Sequence, residues 1–556
     1  MTRRPVSPAW LVAACALWMA AAGNAPLWRR LADLGLLQTT SGVLFAASML
    51  VSIAGLVAAI LALFAWRPTF KTAASALLVT TAIASYFMLA YGVVMDPGMI
   101  TNALQTDPRE ASALASWRLA ASIIVLAVLP GWLLWRQPVA YGGLRRQLGR
   151  NLLLVVAGLV VGIGAIFLSA QTMASVMRNH KEVRYLVNPL ASVYSAGSVA
   201  LRPFARDDSV LVRTGEDAKL AASAISRKRP FVLLLVLGET GRSDNFSING
   251  YARPTTPELE HAGVASFRNA WSCGTSTAAS VPCMFSDLGR DNFDSRKNRR
   301  EGVLDVLQRA GLAVLWIDNQ SGCKGVCDRV PTTSTASGTA SPLCVDGECL
   351  DGVMLEGLDK RIAALDPARV ARGLVIVMHQ MGSHGPAYHL RSPADMKRFL
   401  PECTSAALQD CSREEVVNAY DNSIAYTDHF LGQAIGWLQA RGDKADTAMV
   451  YVADHGESLG ENNIYLHGLP YSVAPDVQKH VPWITWLSAG FERRTGLSPA
   501  CLRAARDQRI SHDNYFHSVL GLAGVETSAY RAELDAYAAC HGRVGHVAAA
   551  DRDAGT

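Results

Sequence analysis

Five long apolar runs occupy most of the first 170 residues, at about 9–26, 43–65, 73–95, 119–135 and 151–170. No other feature restricts the fold as much. About 20 apolar residues make a helix long enough to cross roughly 30 Å of hydrocarbon, and a helix satisfies its own backbone polar groups there. Arg3 and Arg4 precede the first run, as in a signal peptide, but four further runs follow it, which favours a retained anchor. With the N-terminus inside, the cytoplasmic segments hold Arg3, Arg4, Arg67, Lys71, Arg136, Arg145, Arg146 and Arg150, and the opposite loops hold Arg29, Arg30, Arg109 and Arg118. The basic excess falls on the inside, as membrane topology requires. An odd number of spans then delivers everything beyond residue 170 to the far side.

The cysteines reach the same compartment independently. Of 11, only Cys15 lies in an apolar run; the other ten lie beyond residue 270. Several sit close together: Cys273 with Cys283, Cys323 with Cys327, Cys344 with Cys349, and Cys403 with Cys411, which leaves Cys501 and Cys540 as a last pair. An even, closely spaced set reads as disulfides formed in an oxidising space, here the periplasm. The competing reading is a zinc ribbon at Cys323, but the other pairs do not repeat its spacing. At 556 residues the chain exceeds one ordinary domain, and a net charge of +5 names no polyanionic partner and no nucleic acid.

The expected division is a transmembrane domain over 1–170, a linker over 171–228, a soluble domain over 229–540 and a tail over 541–556. The linker mixes aromatic, apolar and basic residues in VMRNHKEVRYLVNPLASVYSAG, which suits either a helix on the membrane surface or a solvated connection.

From Pro230 the pattern changes to short apolar runs alternating with helical stretches. Runs at 231–237, 313–317, 374–378 and 449–453 read as buried strands, which predicts an α/β domain with a mostly parallel sheet covered on both faces. Ligands of such sheets bind beyond the carboxyl ends of the strands. Glu239, His384, Asp454 and His455 all follow strands at that end. Each has a plainer reading: Glu239 as a solvated loop acid, His384 and His467 as surface histidines in glycine-containing loops. The adjacent Asp454 and His455, hard and borderline ligands just after a buried strand, suit zinc as well as they suit an ordinary loop. In CGTSTAASVPC, Thr277 falls near a helix N-terminus, where free N–H groups and the dipole favour a phosphate or an alkoxide; it would serve equally as a capping residue.

Together these segments resemble the phosphoethanolamine transferases that modify lipid A, including the mobile colistin-resistance enzymes, over nearly the whole chain. The motifs are VLGET around Glu239, CGTSTAASVPCMFS around Thr277, DNQSGCKGVCD around Lys324, HQMGSHGPAY around His384 and YVADHGESLGENNIYLHG from Asp454 to His467. The resemblance implies an alkaline-phosphatase-like fold and a zinc ion held by Glu239, Thr277, Asp454 and His455. It further implies that Lys324, His384 and His467 surround the substrate phosphate, the two histidines also offering a second, weaker zinc site. In DPGMITNALQTDPREA, Asn102 and Glu110 would meet the ethanolamine head group. The expected enzyme is a monomer of a Gram-negative inner membrane. It would take its group from phosphatidylethanolamine, hold it on Thr277, pass it to a lipid A phosphate and so weaken polymyxin binding. A short Cys344–Cys349 loop and the cysteines flanking Lys324 depart from part of the family. Rival readings are a sulfatase or phosphodiesterase using water, a transferase with another acceptor (core sugars, glucans or a protein), and a catalytically dead lipid sensor.

Overall fold

The computed structural model describes residues 4–106, 111–112, 114–205, 207–222, 229–335, 341–345 and 347–541. The chain forms two compact units, Met1–Arg202 with Gly460–Val473, and Pro203–Leu459 with Ala474–Thr556.

Among the described residues of the first unit, five helical spans are long and apolar enough to cross a membrane: Pro8–Asp33, Thr40–Leu63, Phe70–Tyr91, Trp117–Arg136 and Leu144–Leu168. The first is α1 (Pro8–Ala21) and α2 (Ala25–Asp33) joined by a tight turn at Ala22–Asn24. Asn24 fixes this turn: its Oδ1 accepts from the Asn188 backbone at 2.8 Å, while the Asn188 amide donates to the Thr81 carbonyl, also at 2.8 Å. Helices α3 (Thr40–Leu63), α4 (Phe70–Tyr91) and α5 (Pro97–Gln105) follow; Asp96 caps α5 by accepting from Met99 N at 2.9 Å. The fourth span is α6 (Trp117–Ile123) and α7 (Leu129–Arg136) with a wide π turn between them. Pro130 has no N–H for the carbonyl of Leu126, and the Trp18 indole donates to it instead at 3.1 Å.

The last span, α8 (Leu144–Leu168), presents Gly158 and Gly162 to Gly55 of α3. A Cβ added at Gly158 would lie 2.6 Å from the Gly55 carbonyl oxygen, so backbone meets backbone, as small residues permit between helices in lipid. Gly158→Val is expected to cost about 1–3 kcal/mol of overpacking, read as a lower unfolding temperature of the detergent-solubilised protein; an unchanged temperature would contradict this contact. Beyond the last span, α9 (Ala170–Asn179) and α10 (Leu190–Ala205) are helical within the stretch read above as surface helix or solvated connection.

The second unit is built on an eight-stranded sheet: β1 (Phe231–Gly238), β2 (Ala265–Trp271), β3 (Ala313–Asp318), β4 (Thr332–Ser334), β5 (Leu374–His379), β6 (Asp446–Ala453), β7 (His480–Leu487) and β8 (Ile510–Ser511), in the order β8-β2-β7-β6-β1-β5-β3-β4. The four strands read from the sequence are neighbours, β6-β1-β5-β3, all parallel and wholly buried, which is why each is a continuous apolar run. Strand β7 is antiparallel to both β6 and β2, with a register shift at Pro482 where a ladder N–H is missing. One face packs Leu233, Leu235, Val375 and Val450 against α11 (Thr277–Met284), α12 (Val303–Arg309) and α14 (Tyr515–Ala523). The long α13 (Arg413–Gln439) lies on the other face, where Thr447 donates to the Leu438 carbonyl. Ser412 and Glu415 close a reciprocal cap at its start.

Register aims the chemistry. β1 and β6 pair in step from Phe231 beside Asp446 to Gly238 beside Ala453, so the next residues on each strand, Glu239 and Asp454, emerge side by side.

Candidate active site

Glu239, Thr277, Asp454 and His455 are buried together beyond the carboxyl ends of β1 and β6. Thr277 is the first residue of α11, and its hydroxyl lies 3.1 and 3.0 Å from the two Glu239 oxygens and 3.4 Å from His455 Nε2. His455 Nε2 lies 3.3 Å from Glu239 Oε1 and 3.4 Å from Asp454 Oδ2. The ring is oriented from behind, Nδ1–H donating to the Gly456 carbonyl at 2.8 Å, which leaves Nε2 to face the acids. Asp454 Oδ1 accepts from the backbones of Thr240 and His455 at 3.2 and 2.8 Å, while Oδ2 has no hydrogen-bond partner among the described residues.

The backbone is held tightly here. Thr240 sits at φ 51°, a costly setting for a β-branched residue, and its carbonyl accepts from Tyr420 Oη at 2.5 Å. Gly382, at φ +52°, presses on Glu239; a Cβ there would lie 2.7 Å from the Glu239 carbonyl oxygen. The loop before Thr277 is tied by Gly274 N donating to Ser280 Oγ at 2.8 Å and by the Cys273–Cys283 disulfide. Four more disulfides join Cys323 to Cys327, Cys344 to Cys349, Cys403 to Cys411 and Cys501 to Cys540. Replacing Cys273 and Cys283 by serine together is expected to cost about 3 kcal/mol on the chain-entropy account of a ten-residue loop, visible as a lower denaturation midpoint; an unchanged midpoint would show that packing alone holds the loop.

The charges are unbalanced. Burial pushes the Asp454 carboxyl up to about 6, reinforced by Glu239 beside it. Burial also works against ionised Glu239, but the hydrogen bond and charge of His455 hold it well below the usual carboxylate range. Burial opposes a charge on His455, and Asp454 and Glu239 overcome it and raise the ring to about 10. Two buried carboxylates and one imidazole whose ligating atoms lie within 4.8 Å of one another form a set that a divalent cation fits. A single proton on His455 offsets one carboxylate, whereas a dication offsets both and uses the lone pair that Nε2 presents. Two carboxylate oxygens, an imidazole nitrogen and a hydroxyl are a donor set that suits zinc with one reactive position.

Lys324 stands in a loop at φ 52°, its ammonium donating to Ser321 Oγ at 2.9 Å and to the Ser321 carbonyl at 3.2 Å. His384 is buried, with its carbonyl accepting from Arg391 Nε at 2.9 Å. In the first unit, Asn102 lies on α5, and a Cβ added at Gly468, the neighbour of His467, would stand 3.0 Å from its amide nitrogen. Glu110 lies outside the described residues.

Sequence reasoning overlooked three groups. Gln320 donates to Glu239 Oε2 at 3.1 Å. His512 accepts from Cys273 N and donates to the Ala453 carbonyl, both at 3.0 Å, so it ties the loop before Thr277 to the strand before Asp454; burial holds it neutral, down to about 3. His379 donates to Asp318 across the ends of β5 and β3 at 3.1 Å. Gln320, inside DNQSGCKGVCD, and His379, the first residue of HQMGSHGPAY, lay in quoted motifs; His512 is brought in by tertiary structure alone.

The family pattern described as Sulfatase matches residues 232–525, and that described as Phosphoethanolamine transferase EptA/EptB matches residues 53–204. Phosphoethanolamine transferase EptA of Escherichia coli (strain K12) is 39% identical over 546 residues, covering 96% of each chain. The chain belongs to the phosphoethanolamine transferase family. Phosphatidylethanolamine transferase Mcr-1 of Escherichia coli is 38% identical over 94% of this phosphoethanolamine transferase family member and 96% of its own length. The solved integral membrane protein lipooligosaccharide phosphoethanolamine transferase A (EptA) from Neisseria meningitidis superposes with a TM-score of 0.90 at 32% identity, covering 97% of this chain and all of that one.

Proposed function

We propose that the protein transfers phosphoethanolamine from phosphatidylethanolamine to a phosphate of lipid A at the periplasmic face of a bacterial inner membrane. The carrying observation is the Thr277 hydroxyl at the start of α11, within 3.4 Å of both Glu239 and His455. Five membrane-length helices on the same chain suit a donor and an acceptor that both live in a bilayer. The name of Mcr-1 supports the donor, and the lipooligosaccharide in the name of the Neisseria meningitidis relative supports a lipid-anchored saccharide acceptor.

Thr277 Oγ attacks phosphorus, and the bond from phosphorus to the diacylglycerol oxygen breaks. The threonine proton ends on the departing diacylglycerol, relayed by His384 or His467. A lipid A phosphate oxygen then attacks the phosphoethanolamine-threonine, and the threonine oxygen leaves and recovers a proton from the acceptor. A zinc ion held by Glu239, Asp454 and His455 would supply the charge that lowers the pKa of the Thr277 hydroxyl and offsets the phosphoryl oxygens. Lys324 neutralises a further phosphoryl oxygen, and the α11 N-terminus favours the anion with its free N–H groups. Asn102 and the Glu110 carboxylate receive the ethanolamine ammonium. Capping a lipid phosphate with an ammonium lowers surface negative charge, so polymyxin binds less.

The intermediate is directly testable. Protein incubated with phosphatidylethanolamine alone is expected to gain one phosphoethanolamine, mapped by peptide mass spectrometry to Thr277. Steady release of free phosphoethanolamine with no adduct would favour a hydrolase instead.

A further inference from the structure

We propose that Gln320 is a positioning residue for the metal: its amide holds Oε2 of Glu239 and so fixes the carboxylate with Oε1 turned toward His455 and the ion. The inference rests on the zinc reading above and adds a residue outside the ligand set. Glu239 uses its two oxygens differently. Thr277 Oγ lies 3.1 and 3.0 Å from Oε1 and Oε2, but Oε1 also faces His455 Nε2 at 3.3 Å, while Oε2 accepts from Gln320 Nε2 at 3.1 Å. Among the described residues, Gln320 is the side-chain donor to Glu239 that is neither a proposed ligand nor the nucleophile.

The amide cannot turn around. Gln320 Oε1 accepts from the backbone N–H of Ser321, which can only donate, and from Ser321 Oγ at 2.5 Å. Nε2 must therefore face Glu239. Ser321 Oγ in turn accepts from Lys324 Nζ at 2.9 Å. The donors thus run in one direction, from Lys324 through Ser321 and Gln320 to Glu239, and each bond polarises the next. Beneath them, Asp318 Oδ1 accepts from Gln320 N at 3.1 Å and Gly322 N at 3.0 Å, and its Oδ2 accepts from Trp316 Nε1 at 2.9 Å and His379 Nδ1 at 3.1 Å. The end of β3 therefore fixes the backbone of Gln320, which is itself buried, while Ser321 fixes its amide. On the other side Gly382 closes on Glu239, where a Cβ would stand 3.0 Å from the Glu239 Cβ. The carboxylate is gripped between a glycine and an amide.

A ligand whose second oxygen is held in this way is pre-oriented, and losing such a partner typically weakens metal binding about 10–100-fold. The test is zinc affinity of the purified full-length protein by chelator competition, for wild type, Gln320→Met and Gln320→Asn. Methionine keeps the length and apolar volume but donates nothing; asparagine keeps the amide but withdraws it by one methylene. Both are expected to bind zinc about 10–100-fold more weakly, with the unfolding temperature of the zinc-free protein unchanged. Wild-type affinity in either folded variant would overturn the role of the amide. If the wild type itself fails to hold zinc, the metal reading falls and this inference with it; zinc held equally by all three removes only Gln320.

Discussion

Thr277→Ala is expected to lower turnover of phosphatidylethanolamine by about a thousandfold or more, because a two-step transfer has no second route once its nucleophile is gone. The loss should be chemical. Alanine suits the first turn of α11 at least as well as threonine, the Cys273–Cys283 disulfide and the Ser280–Gly274 bond remain, and the hydroxyl removed meets the Glu239 carboxylate and His455 Nε2, both within the site itself. The unfolding temperature should therefore change little, and zinc should stay bound through Glu239, Asp454 and His455. Thr277→Ser keeps an oxygen at the same place and should keep part of the activity. Release of diacylglycerol from a fluorescent phosphatidylethanolamine by the purified proteins checks this. Turnover by the alanine variant within tenfold of wild type would remove Thr277 from the mechanism.

The second large effect is expected at Asp454. Its two oxygens have separate tasks: Oδ1 accepts the Thr240 and His455 backbones at 3.2 and 2.8 Å, and Oδ2 has no hydrogen-bond partner among the described residues. An asparagine in its place can keep the first task by setting its carbonyl oxygen at the Oδ1 position. It then puts an NH2 group where Oδ2 stood, which donates hydrogen bonds and cannot ligate a cation. It also removes one of the two carboxylates that hold the site anionic. Asp454→Asn should thus fold, retain less than about a hundredth of the zinc affinity and lose transfer in parallel, with partial recovery at high added zinc. Metal content by elemental analysis, with thermal unfolding alongside, reads it out. Normal zinc content in a folded, inactive Asp454→Asn would assign this carboxylate a role other than ligation.

The sequence showed the parts that repeat a physical rule along the chain and hid those that depend on how distant parts meet. The five spans were legible because hydrocarbon demands apolar length, although Pro130 and Asn24 interrupt two of them in ways that hydropathy does not register. Strands β1, β3, β5 and β6 were legible because strands buried on both faces are continuous apolar runs. Strand β7 was missed although it too is apolar: it runs antiparallel, carries Pro482 and has no motif at its end. Placement of Glu239 and Asp454 beyond strand ends could be read directly, whereas their adjacency needed the in-step pairing of β1 with β6. His512 could not be read at all, since its two bonds reach residues 239 and 59 positions away. Gln320 lay in a recognised motif, but that it faces Glu239 follows only from the turn that Asp318 fixes after β3.

The central claim is that Thr277 carries phosphoethanolamine to lipid A. Mass spectrometry of lipid A from a polymyxin-sensitive Gram-negative host, expressing either the wild-type chain or Thr277→Ala at matched levels, tests it most directly. A phosphoethanolamine increment on lipid A with the wild-type chain and none with Thr277→Ala is the predicted result. Unmodified lipid A in cells that hold correctly folded, zinc-loaded wild-type protein would contradict the acceptor, and an equal increment from both chains would contradict the nucleophile.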